Sequence, residues 1–68
     1  MKNKVREIRE RHGLTQRQLA ILSEVGRSTI SNTETGRYIP RVDVAIRIAR
    51  QLHTPVERLF FVGKVERK

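Results

Sequence analysis

Glycine, proline and hydroxyl caps cut this chain into short helical segments. From Lys2 to His12, Val5 and Ile8 stand three apart among charged residues, a narrow apolar stripe on a solvated helix. Arg6 with Glu10 and Glu7 with Arg11 are opposite charges four apart, each pair adding a few tenths of a kcal/mol. Gly13 then reads as a stop, because a left-handed C-terminal cap costs glycine no steric penalty. Thr15-Gln16-Arg17-Gln18 reads as a capping box, in which the threonine hydroxyl accepts from the third amide and Gln18 reaches back. It opens a second helix over about Gln16 to Ser23 that buries Leu19, Ala20 and part of Ser23.

After a turn at Glu24-Val25-Gly26, a third helix spans Arg27 to Glu34 with Ile30 as its only strong apolar residue. Serine, threonine and asparagine are indifferent helix formers, so this helix must be pinned by Ile30 while its other faces stay polar. That design suits a surface meant to read a partner. Thr35 to Pro40 reads as a loop. The fourth helix, about Val42 to Leu52, is expected to bury Val42, Ala45, Ile48, Ala49 and Leu52 over three turns. Thr54-Pro55-Val56-Glu57 opens a fifth, with threonine as cap and proline first, and Val56, Leu59 and Phe60 on its buried edge. The tail from Phe61 to Lys68 is too short for a helix, and its apolar residues suit a brief strand. The expected fold class is therefore all-α, five helices with a short β-strand in the tail.

Composition narrows the function. With 68 residues the ceiling is one domain, and a chain of this length buries only roughly 60% of its unfolded surface. A large enzyme cleft is thereby implausible. No cysteine means no disulfide scaffold and no thiolate metal site, so packing or dimerisation must hold the core. No apolar run approaches the roughly 18 residues of a membrane span, and no signal-peptide hydrophobic region follows the basic start. The expectation is a cytoplasmic protein with no membrane partner. Fifteen Lys+Arg against seven Asp+Glu give a net charge of +8, which points to a polyanion, with nucleic acid the leading candidate. The excess lies at residues 1–20 (six basic, two acidic) and 41–68 (seven and three), around a neutral centre at 21–40 (two and two). Charge interspersed with apolar residues indicates folded helices with basic outer faces rather than a disordered arm.

Two helices joined by a short turn can lay the first across a DNA backbone and insert the second in the major groove. The third helix presents Arg27, Ser28, Ser31 and Asn32 outward. Arginine matches the paired acceptors of guanine, and asparagine the acceptor–donor pair of adenine. Short serines let the backbone approach and bond phosphate or base. Gln16 and Arg17, at the exposed start of the second helix, are placed for phosphate beside that terminus's free amides.

The stretch Leu14-Thr15-Gln16, Leu19-Ala20 and Val25 through Pro40 resembles the Cro/C1-type helix-turn-helix family. Ala45 to Ala49, Leu52 and Pro55 to Phe60 fit the family's fourth and fifth helices, so the likeness covers roughly residues 5–60. It implies a lambda-repressor-like DNA-binding domain at residues 1–60 and a tail at 61–68 near a dimer interface. It implies Gln16 as a phosphate contact and Arg27, Ser28 and Asn32 as base readers, with Ser31 beside them. Thr29, Arg37 and Tyr38 fit backbone contacts, and Glu34 holds the family's structural acidic position. The chain departs from the family at three places. Glu24 stands where the turn commonly has glycine, Gly26 where a capping serine or threonine is common, and Thr33 where a larger apolar residue is usual.

Plainer roles compete with these. Arg27 and Asn32 would otherwise be solvated, and Gln16 has a local capping role open to it. Arg6, Arg9, Arg47 and Arg50 read as solvated helix faces whose field assists association. His12 and His53, at helix ends without cysteine partners, make a poor metal site, and neither a metal nor another cofactor is expected. The surplus apolar residues Ile21, Leu22, Val44 and Phe61 read either as peripheral packing or as interface. A homodimer built from Leu59, Phe60, Phe61, Val62 and adjacent surface is favoured, since one half-site reader contacts few base pairs and needs avidity. No general base supports Ser28, Thr29 or Ser31 as a nucleophile, so an enzyme is not expected. The expected function is a sequence-specific double-stranded DNA-binding regulator, most simply a repressor on a near-palindromic operator. No small-molecule ligand is evident. The alternative is an antitoxin-like module whose apolar tail docks a partner protein. Single-stranded nucleic acid is disfavoured by the lack of a stacking platform, with two Phe, one Tyr and no Trp.

Overall fold

The computed structural model describes residues 3–60 and contains five α-helices. These are α1 (Val5–Arg11), α2 (Gln16–Ser23), α3 (Arg27–Glu34), α4 (Val42–Gln51) and α5 (Val56–Leu59). The first helix starts at Val5, later than expected, because Asn3 pairs with Phe60 instead of joining the helix; the strand expected over residues 61–68 lies outside the described residues. Within them, one antiparallel bridge joins Asn3 to Phe60, and the Lys4 amide donates to the Leu59 carbonyl at 2.8 Å.

The core consists of Val5, Leu19, Ala20, Ile30, Ala45, Ile48, Ala49, Leu52, Leu59 and Phe60. α2 packs chiefly on α3 and α4. Ile30 alone supplies the strong apolar anchor of α3, and it is fully buried. Thr33 joins it there. The Thr33 hydroxyl donates to the Thr29 carbonyl at 2.7 Å, so a polar residue occupies the core without an unmet hydrogen bond.

One device ends four helices in succession. At each end, a residue in the left-handed region lets two amides return to the last turn, satisfying carbonyls that have no partner within the helix. Gly13 donates to Glu10 and Leu14 to Arg9; Gly36 donates to Thr33 and Arg37 to Asn32. Glu24 and Val25 donate to Ile21 and Ala20, and His53 and Thr54 to Arg50 and Ala49, in the same way. Glycine fills the left-handed slot at Gly13 (φ 72°) and Gly36 (φ 78°), but Glu24 (φ 59°) and His53 (φ 51°) fill it with side chains. The unusual residue noticed at Glu24 is thus a real departure in backbone terms, and its carbonyl also accepts from Arg47 at 3.4 Å.

The capping box at Thr15 and Gln18 forms in both directions, at 3.0 and 2.8 Å. Both exposed ion pairs of α1 form as well, at 3.4 and 3.0 Å. Four further expectations need correction. Val42 is exposed, because it opens α4 before any neighbour packs over it. Pro55, not Thr54, caps α5; the Thr54 hydroxyl turns back and donates to the Leu52 carbonyl at 2.8 Å. Arg9 is buried rather than solvated. Leu59 and Phe60 fill the chain's own core and offer a partner copy no apolar surface, while Phe61 and Val62 lie outside the described residues.

Candidate nucleic-acid interface

In α3, Arg27, Ser28, Ser31 and Asn32 recur at i, i+1, i+4 and i+5 and so share one face of the helix. The opposite face carries Ile30 and Thr33, both buried. Arg27, Ser28 and Asn32 are exposed and Ser31 is half-buried, so four polar side chains are brought together without a packing role. Thr29 does not share this face; it is half-buried, and its carbonyl is taken by Thr33. Arg37 and Tyr38 are exposed just beyond the Gly36 cap, which turns the chain where α3 ends. Arg17 is exposed at the start of α2, where the first helical amides have no intrahelical acceptor.

Gln16 is half-buried, and its amide nitrogen donates to Glu34 Oε1 at 3.0 Å. The second hydrogen of that amide is left to donate to a phosphate. Glu34 is the junction of the three elements around the interface. Arg9 of α1 donates to both of its oxygens, from Nε to Oε2 at 2.6 Å and from a terminal nitrogen to Oε1 at 3.2 Å. The other terminal nitrogen of Arg9 donates to the Leu14 carbonyl at 2.8 Å, just ahead of the α2 cap. Arg9 and Gln16 together therefore tie the start of α2 to the end of α3. Nothing in the local pattern of α1 marks Arg9 for this role, because its partner lies 25 residues away.

Asn3 was likewise not singled out from sequence. Its carbonyl oxygen accepts the Val5 amide at 3.0 Å, and its amide nitrogen donates to the Thr33 carbonyl at 2.7 Å, joining the start of α1 to the end of α3. His12 and His53 bring their rings to 6.0 Å at the C-terminal ends of α1 and α4. Among the described residues no group of three or more metal-ligating side chains forms, and no helix is long and apolar enough to cross a membrane.

A helix-turn-helix family model matches residues 5–59, which spans all five helices. The chain belongs to the Cro/C1-type helix-turn-helix transcriptional regulators. Among curated relatives of this regulator, an uncharacterized HTH-type transcriptional regulator of Methanothermobacter thermautotrophicus is 48% identical over 65 residues, covering 94% of each chain. Another from Archaeoglobus fulgidus is 40% identical over 66 residues, covering 97% of this regulator and 94% of its relative. Among solved structures, the restriction-modification controller protein C.AhdI from Aeromonas hydrophila aligns with a TM-score of 0.78 at 32% identity, over 84% of this chain and 86% of its own. The all-α helix-turn-helix fold is common to both. In that frame α2 and α3 are the two helices of the helix-turn-helix, and Glu24 to Gly26 form the turn.

Proposed function

We propose that the regulator binds double-stranded DNA sequence-specifically, as a homodimer on a near-palindromic operator, and represses by occluding a promoter. The observation that carries this reading is the outward face of α3, where Arg27, Ser28, Ser31 and Asn32 project together from a helix held by Ile30 and Thr33. Arg27 and Asn32 have the donor and acceptor patterns for guanine and adenine edges, with Ser28 and Ser31 short enough to let the backbone close in. Gln16, Arg17, Arg37 and Tyr38 flank that face as backbone contacts, with Thr29 at its edge. The net charge of +8 supplies affinity and association rate through phosphate neutralisation. The relatives named as transcriptional regulators support a regulatory outcome.

A two-fold dimer sets its recognition helices about 34 Å apart, one turn of the duplex. Selection of bound sequences from a random duplex pool tests binding, half-site symmetry and spacing together. A palindromic consensus with half-sites one turn apart is the expected result. On the selected site, Arg27→Ala or Asn32→Ala costs about 1–3 kcal/mol and relaxes preference at one or two positions per half-site. Arg17→Ala weakens all sequences alike. An Arg27→Ala protein with unaltered sequence preference overturns the assignment of α3.

A further inference from the structure

With Leu59 and Phe60 taken into the core, the apolar surface left for a second copy lies elsewhere. On α4 and the loop before it, Ile39 is 68% exposed, Val42 76% and Ile46 40%. Val42 and Ile46 are one turn apart and share a face of α4 that adjoins, but does not enter, the core. The same face runs into a groove of about 390 Å³ lined by Ile46, Arg50, His53, Pro55 and Val56. Apolar knob and apolar groove thus stand on one surface, at opposite ends of α4.

We infer that this surface is the homodimer interface, with α4 packing antiparallel on α4 of a second copy about a two-fold axis near Ile46. The inference rests on the homodimer reading above and names its surface. A two-fold contact is self-complementary, so whatever one copy offers must fit what it also receives. An axis passing between Ile46 and Arg47 sets the loop before α4, which carries Ile39, toward the partner's connection between α4 and α5. Ile39 then enters the partner's groove beside His53 and Pro55, and the reverse contact forms by symmetry.

Charge fits the same geometry. A chain of net charge +8 repels its own copy, so a stable contact needs a face where charges pair. Asp43 and Arg50 lie two turns apart, about 10.5 Å along the helix, on the same flank of the Val42–Ile46 stripe. Antiparallel helices bring like flanks together, and the same axis sets Asp43 against the partner's Arg50 twice over. Among the described residues Asp43 pairs only with Arg41, at 4.0 Å and exposed, and Arg50 forms no ion pair.

Charge exchange tests the interface on the full chain, with thermal unfolding as a control for the fold. Sedimentation velocity at micromolar concentration measures dimer dissociation. Asp43→Arg and Arg50→Asp each raise the dissociation constant by about tenfold or more, since each creates two like-charge contacts. The double variant D43R/R50D returns it close to the parent value. Ile39→Lys also dissociates the dimer, whereas Ile21→Lys, on the exposed face of α2, does not. A parent dimer that survives both single exchanges, or one that Ile21→Lys dissociates, overturns this surface while leaving the homodimer reading standing. A parent chain that stays monomeric both free and on a palindromic site overturns the homodimer reading, and this surface with it.

Discussion

Arg9 and Glu34 face each other across the interior with their side chains 9% and 2% exposed, and Nε stands 2.6 Å from Oε2. A buried carboxylate in this setting is satisfied by three separate donor contacts, two from Arg9 and one from Gln16. Removing one partner leaves an uncompensated charge, which costs about 3–5 kcal/mol. That loss approaches the whole stability of a domain this small, of order 5 kcal/mol. Arg9→Met is therefore expected to be marginally stable, with a much lowered Tm by circular dichroism. Arg9→Lys, which keeps the charge but not the two-pronged geometry, falls between it and the parent in urea unfolding. Equal stabilities for Arg9→Met and the parent would mean that the pair contributes nothing.

Ser23 presents the opposite situation. Its side chain is buried on α2, and its hydroxyl has no hydrogen-bond partner among the described residues. An unmet buried hydroxyl costs about 1–3 kcal/mol, and alanine is also the better helix former. Ser23→Ala is expected to stabilise by about 1 kcal/mol, which raises Tm by about 4–8 °C in a domain of this size. Differential scanning calorimetry measures this directly. A lower Tm would show that the hydroxyl finds a partner in solution.

The left-handed caps at Glu24 and His53 strain the backbone where Gly13 and Gly36 do not. A side chain in this region costs roughly 1–2 kcal/mol, while glycine adds back unfolded-state entropy of about 0.4–1 kcal/mol. Glu24→Gly and His53→Gly are each expected to stabilise by about 0.5–1 kcal/mol in urea unfolding. Gly13→Ala supplies the converse test. A Cβ there meets nothing within 4 Å, so the expected loss of about 1 kcal/mol reports backbone conformation alone. No loss in Gly13→Ala would remove the basis for both stabilising variants.

These positions also show which parts of the molecule were legible in the sequence. α2 and its capping box follow from Thr15, Gln18 and the spacing of Leu19, Ala20 and Ser23, because a cap and an amphipathic face are local properties. The outward face of α3 was legible for the same reason. Arg9 was not, since its role depends on Glu34 arriving from another helix, and a charged residue on an exposed-looking stripe carries no mark of that. Val42 fitted the helical period of the core residues but exceeded it by one turn, because periodicity gives a direction and not the extent of the neighbour. Leu59 and Phe60 were expected both on the buried edge of the fifth helix and at a dimer interface, and the pairing of Asn3 and Lys4 with Phe60 and Leu59 goes with the first of these. Non-local closure of this kind leaves no short-range pattern.

Gly26 caps α3 without a side chain to accept from its first amides, at a backbone conformation (φ −75°, ψ 153°) that any residue adopts. A Cβ added there would lie 3.9 Å from both the Ser28 and Thr29 hydroxyl oxygens, an ordinary contact. Serine thus fits, and its hydroxyl can accept from the second or third amide of the helix. Relative to glycine the cap is worth a few tenths of a kcal/mol, with a further about 0.4–1 kcal/mol from the stiffer unfolded chain. Gly26→Ser is expected to stabilise by about 0.5–1 kcal/mol in urea unfolding. Because Arg27, Ser28 and Asn32 keep their places on the helix, operator affinity should change by less than about threefold, equivalent to under 1 kcal/mol. A more stable protein with a much larger loss of affinity would mean that the uncapped amides of α3 are themselves DNA contacts, which the new hydroxyl has taken away.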